Sequence, residues 1–151
     1  QVFDIDKKIL SGDLILDPFI KGNVVDEWIN SGWIRHCHAR SAIPNNPLNI
    51  LGTHPDGAVG RGIQYPFKKP ENGEYHELWE LHQLDPWKKC IKQLMKYHEK
   101  DPKSKLGQIS TEFIPNTDYG EGCKYSLFEQ AIECTNWMKD TWQFIKNETQ
   151  T

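Results

Sequence analysis

Two short stretches of this chain alternate in polarity, with a helical repeat between them, and that order restricts the fold more than any other feature. WIRHCHAR, residues 33–40, puts Ile34, His36, His38 and Arg40 on one side of an extended chain and Trp33, Arg35, Cys37 and Ala39 on the other. KLGQISTEFIP, residues 105–115, divides the same way. Gln108, Ser110, Glu112 and Ile114 share one face, Ile109, Thr111 and Phe113 share the other, and Pro115 ends the run. Between the two, Asp85 is expected to cap, and Pro86 to open, a helix that runs to about His98. Its buried stripe is Trp87, Ile91, Leu94 and Met95, with Cys90 beside them. Strand, helix and strand in that order imply parallel strands with the helix packed outside them.

The flanking sequence extends the same alternation. LILD, residues 14–17, is a short apolar run stopped by Pro18, which suits a buried strand. A helix is expected over Val24 to Asn30, with Asn23 as its cap and Gly32 just beyond its end. Residues 41–70 are rich in Pro, Gly and Asn and have no sustained period, so they read as a long loop, a kind more often functional than merely connective. From Glu74 a charged helical stretch leads into the Asp85 cap. After the second strand, the loop NTDYGEGCK leads to a final helix from about Ser126 to Lys146. Leu127, Ala131, Cys134, Met138, Trp142 and Ile145 recur there at steps of three and four, and Ser126 with Glu129 forms a capping box.

Composition closes off several classes of function. At 151 residues and 37% hydrophobic content the chain suits one domain over residues 1–151 with one core. Its net charge of −3 comes from interspersed acids and bases, which leaves no basic stripe for a phosphodiester backbone and argues against nucleic acid as a partner. No window approaches the roughly 18 apolar residues that a membrane span needs. Cys37, Cys90, Cys123 and Cys134 are scattered without a CxxC pair, so a reducing cytoplasm is the plainer compartment.

A parallel strand covered by helices on both sides should be apolar throughout. Both strands here turn polar toward their C-terminal ends on one face: His36, His38 and Arg40 in the first, Ser110 and Glu112 in the second. That distribution is the one expected of the inward faces of barrel strands, where the interior opens into a site at the strand C-termini. A His-x-His pair and a Glu brought to one mouth would suit Mn²⁺, Mg²⁺, Co²⁺ or Zn²⁺. Each strand taken alone has a plainer reading, in which the histidines are hydrogen-bonded on a half-buried strand and the Glu is solvated at an edge. Asp17, before Pro18, reads as a turn former, with ligation as the lesser alternative.

Taken together, HCHAR, the GRGIQYPFKKP loop with a Trp-bearing helix after it, STEFIP and the aromatic-rich last helix resemble the C-terminal part of the xylose-isomerase-like TIM barrels. The likeness is greatest to the sugar phosphate isomerase and epimerase group, and it covers about residues 33 to 146. It implies an α/β fold of the partial (β/α)8 barrel type and a metal-dependent isomerase or epimerase acting on a small sugar or sugar phosphate. It further implies that His38 and Glu112 are metal ligands, that Glu112 also exchanges a proton with substrate carbon, and that Arg40, His36 and Gln64 contact substrate.

No motif matches the Glu and Asp that the family draws from two earlier strands, and a complete barrel needs eight strands in about 250 residues. The resemblance therefore implies a missing N-terminal half, supplied by a preceding segment or by a second chain in a homo-oligomer. A non-catalytic binding or interaction module with exposed strand edges is the alternative of a different class. Endonuclease work, found elsewhere in the same superfamily, is disfavoured by the lack of a basic face.

Overall fold

Two features organise the chain around its wet strands: a buried asparagine that starts the helix before them, and an amphipathic helix that carries the chain from one strand to the next. They are seen in a computed structural model that describes residues 3–43, 64–75, 78–114 and 125–149. Asn23 is fully buried. Its Oδ1 accepts the backbone N–H of Asp26 at 3.0 Å, and its Nδ2 donates to the Ile20 carbonyl at 2.8 Å. One side chain thus satisfies an orphan donor of helix α2 (Val24–Asn30) and pins the preceding turn. Gly32, at φ +69°, takes the left-handed conformation that turns the chain out of α2.

Strand β1 (His36–Arg40) follows, and strand β2 (Gln108–Glu112) pairs with it in parallel. The register sets His36 against Gln108, His38 against Ser110 and Arg40 against Glu112. Helix α3 (Asp85–Lys100) makes the crossover, entered through a 3₁₀ turn at Leu81–Leu84. Leu84 takes the N-cap position without a side-chain cap bond, while Asp85 and Pro86 begin the helix proper. Helix α4 (Leu127–Thr149) then packs against both α3 and β2. At its start Ser126 Oγ accepts the Glu129 N–H at 3.2 Å. The Glu129 carboxylate does not reach back to complete the expected box; it bonds Lys68 Nζ at 2.9 Å.

The core lies between the apolar face of the strand pair and helices α3 and α4. Leu84, Met95 and Cys134 are fully enclosed there, beside Ile91, Met138 and Ile145. Phe67, Trp87 and Trp137 form an aromatic triangle with centroids 5.5–5.9 Å apart, and Lys88 lies over the Phe67 and Trp137 rings. Burial of a Leu or Met side chain contributes roughly 1.5–3 kcal/mol. Gln130 joins loop and helix: its amide oxygen accepts the Lys68 N–H at 2.6 Å, and its amide nitrogen donates to the Lys68 carbonyl at 3.0 Å.

The expectation of a partial (β/α)8 barrel is overturned. Among the described residues there are a two-stranded parallel sheet and four α-helices, which make a small α/β unit with too few strands for a barrel. The run at residues 14–17, read as a strand, is irregular instead. Asp17 Oδ1 accepts the Phe19 N–H at 2.9 Å, which folds the chain into a turn where a strand would have to continue. Among the described residues of the stretch read as a charged helix, Glu74, Tyr75 and 78–80, none is helical before the 3₁₀ turn. A helix not anticipated from sequence, α1 (Phe3–Ser11), stands before this turn. The GRG triplet, most of the long loop, His76 and Cys123 lie outside the described residues.

Candidate functional site

Parallel pairing in this register puts the two polar faces side by side, because residues matched across the ladder point the same way. His36, His38 and Arg40 thereby stand over Gln108, Ser110 and Glu112. Three cross-strand contacts result. His36 Nε2 lies 3.1 Å from Ser110 Oγ, and His38 Nδ1 lies 2.9 Å from Glu112 Oε2. Arg40 donates from its terminal guanidinium nitrogen to Glu112 Oε1. The two imidazoles lie 4.6 Å apart, tilted toward each other.

Glu112 is the hub of this group. One carboxylate oxygen meets an imidazole and the other a guanidinium, so the anion is held from two sides. The Arg40 guanidinium holds its carboxyl below the ordinary value of 4.5; desolvation opposes this, and His38 adds to the lowering. Arg40 and Glu112 side chains are 20% and 26% exposed, whereas His38 is 63% exposed, so the anion and guanidinium are sheltered and the imidazole faces solvent.

This arrangement fixes the sign of an acid-stability effect. A carboxyl whose folded pKa lies below its unfolded value contributes stability that is present above the unfolded pKa and lost as pH falls through the folded one. The stability difference between wild type and Glu112→Gln is therefore expected to hold near pH 5 and to shrink as pH drops below about 4.5, measured by urea denaturation at each pH. A difference that is flat over that range would mean that the ion pair does not form in solution.

Gln64 is engaged elsewhere. It is 3% exposed, its Oε1 accepts the Ile114 N–H at 2.8 Å, and its Nε2 donates to the Ile114 carbonyl at 3.3 Å and to Tyr125 Oη at 3.1 Å. The amide staples the end of the long loop to the chain just after β2, and Ser41 Oγ adds a second tie to the Tyr65 carbonyl at 2.7 Å. The structure therefore brings His36, His38, Arg40 and Glu112 together and leaves Gln64 as a brace behind the C-terminal end of β2. Ser110 joins the group as the partner of His36; its signal in the sequence is membership of the same-face triplet with Gln108 and Glu112.

The other polar candidates do not converge on this face. His82 is exposed, 3.4 Å from Glu80. His98 is half-buried; it bonds Ser104 Oγ at 3.0 Å and meets the Trp142 ring edge-on. Burial pushes the Cys134 thiol up to about 12 and raises Cys37 and Cys90 as well, so these three cysteines are not thiolates at neutral pH. None of the three is in a disulfide.

Among the described residues no group of three or more His, Cys, Asp or Glu side chains is placed to hold a metal ion. His38 and Glu112 are two potential donors, too few for a closed structural zinc site, and they bond each other. No described helix is long and apolar enough to cross a membrane. No family model, curated protein or solved structure matches the chain, so the cluster on β1 and β2 is interpreted from its own geometry.

Proposed function

We propose that the polar face of the β1–β2 pair is a small-molecule site that moves a proton next to a carbonyl, as in the metal-dependent sugar and sugar phosphate isomerases and epimerases that the sequence resembles. The observation that carries this reading is the convergence of Glu112, His38 and Arg40 within hydrogen-bonding reach of one another on adjacent strands. Glu112 is the base for a proton on carbon. With Arg40 lowering its basicity, it removes such a proton only if negative charge on the neighbouring oxygen is stabilised. Arg40 orients the substrate, because its planar, permanently charged fork suits an oxygen that gains negative charge. His36 and Ser110 offer hydroxyl-binding positions one step down the same face.

A divalent ion held by His38 and Glu112, drawn from Mn²⁺, Mg²⁺, Co²⁺ or Zn²⁺, would supply the Lewis acidity that makes the C–H acidic enough. Calorimetric titration with Mn²⁺ tests this assignment. Wild type is expected to bind with one site per chain and Glu112→Ala at least tenfold more weakly, whereas equal affinities would remove Glu112 from the metal site.

A second reading, an interaction module, is favoured by a separate observation. Leu10, Leu78 and Phe128 are 87%, 82% and 76% exposed, and among the described residues neither outer edge of the sheet pairs with another strand. This reading requires self-association or partner binding. Sedimentation at rising concentration is expected to reveal association, and a strict monomer would count against self-association through these edges.

A further inference from the structure

At the other end of the strands, before β1 and β2 begin, lies an open niche of about 530 Å³ that is independent of the Glu112 site. Its walls carry Trp33, Arg35, Tyr97, Asp101, Lys103 and Lys105. Two backbone features hold it open. Gly32 turns the chain from α2 so that Trp33 follows at the rim, and the Gly107 N–H bonds the Arg35 carbonyl at 2.8 Å, tying the entry to β1 to the entry to β2. At Gly32 a Cβ would lie 3.1 Å from Tyr97 Oη, so the turn also sits close against the niche floor.

The charges here are unbalanced. Asp101 is the one acid among the lining residues, and its carboxylate is engaged within its own turn, where Oδ1 accepts the Lys103 N–H at 2.8 Å. Among the described residues no ion pair joins Arg35, Lys103 or Lys105 to any acid. Three cations on loops tied together by one backbone bond face a common space, which favours a compact ligand of more than one negative charge. Trp33, 76% exposed at the same rim, presents an apolar aromatic ring to water. A flat ring and a multivalent anion are the two halves of one chemical class.

We propose that this niche binds a phosphate monoester whose organic part is a planar ring, such as a nucleoside monophosphate, with the phosphate on Arg35 and Lys105 and the ring on Trp33. Glu112 pairs with Arg40 at the far end of β1, about 16 Å from Arg35 given about 3.3 Å per residue over five residue steps, so occupancy at one end does not require the other.

Calorimetry on the full chain with adenosine 5′-monophosphate, adenosine and inorganic phosphate tests the proposal at low salt. The monophosphate is expected to bind at least tenfold more tightly than phosphate or adenosine alone, and to quench tryptophan fluorescence in wild type but not in Trp33→Phe. The double variant Arg35→Ala/Lys105→Ala is expected to lose about a hundredfold in affinity, roughly tenfold for each charge-assisted contact. Arg35 and Lys105 are exposed, so the fold does not depend on them. Glu112→Gln is expected to bind the monophosphate as tightly as wild type. Equal binding of monophosphate and free phosphate, wild-type affinity in the double variant, or loss of binding in Glu112→Gln would each overturn the assignment.

Discussion

Glu112→Gln is expected to slow solvent deuterium incorporation next to the carbonyl of a sugar or sugar phosphate by a factor of about 10²–10⁴, the usual contribution of a positioned base. The substitution is chosen to separate chemistry from structure. A glutamine keeps the shape of Glu112 and can still accept a hydrogen bond from Arg40 on its amide oxygen, but it cannot take a proton from carbon. Proton NMR in D₂O reads the exchange directly across a panel of ketoses and ketose phosphates with Mn²⁺ present. The stability cost at neutral pH should stay near 1 kcal/mol, because a partly exposed ion pair contributes little. Exchange at wild-type rate in the variant would remove Glu112 as the base. No exchange by wild type on any member of the panel would remove the reading itself.

The largest effect on stability is expected from Met95→Ala, a loss of about 2–5 kcal/mol. Met95 is fully enclosed in helix α3, in the same core cluster as Leu84, Ile91 and Cys134. Truncation leaves a cavity that the surrounding core relaxes only partly to fill. A domain of this size is held by only about 5–15 kcal/mol, so this one change removes a large part of the margin. Urea denaturation followed by tryptophan fluorescence measures it. A loss below about 1 kcal/mol would mean that α3 does not seat on the sheet as described. By contrast Phe144→Ser, on an exposed position of α4, should change stability by no more than about 0.5 kcal/mol.

The site was legible where chemistry follows a local period. Alternation along 33–40 and 108–114 sorted His36, His38, Arg40, Ser110 and Glu112 to one side each, and parallel pairing was all that remained to bring the sides together. Helix α3 and the greater part of α4 were legible for the same reason: Ile91, Leu94 and Met95, then Cys134, Met138 and Ile145, repeat at helical spacing and are buried, with Gln130 the one buried residue outside that stripe. The number of strands was not legible. Sheet membership depends on a partner distant in sequence, and an apolar run such as residues 14–17 looks the same locally whether or not an edge is there to receive it. An aspartate bond to the Phe19 N–H settled that segment as a turn.

Gln64 shows a different limit. The family resemblance implied substrate contact for it, yet a buried amide needs partners for its oxygen and nitrogen, and the chain at Ile114, fifty positions away, provides both. Nothing within the loop itself signals that pairing. Helix α1 escaped notice because its nine residues bury little: Ile5 and Ile9 remain 48% and 38% exposed, too weak a stripe to stand out from its charges.

The most direct test of the central claim, that His38 and Glu112 converge into one ligand-binding mouth, is paramagnetic broadening by substoichiometric Mn²⁺ in a ¹H–¹³C NMR spectrum of side chains. The His38 ring and the Glu112 methylenes should broaden first and together, with His36 next, and Glu112→Ala should abolish the effect at His38. Broadening centred on the exposed His82 and Glu80, or broadening at His38 that persists undiminished without Glu112, would contradict the account.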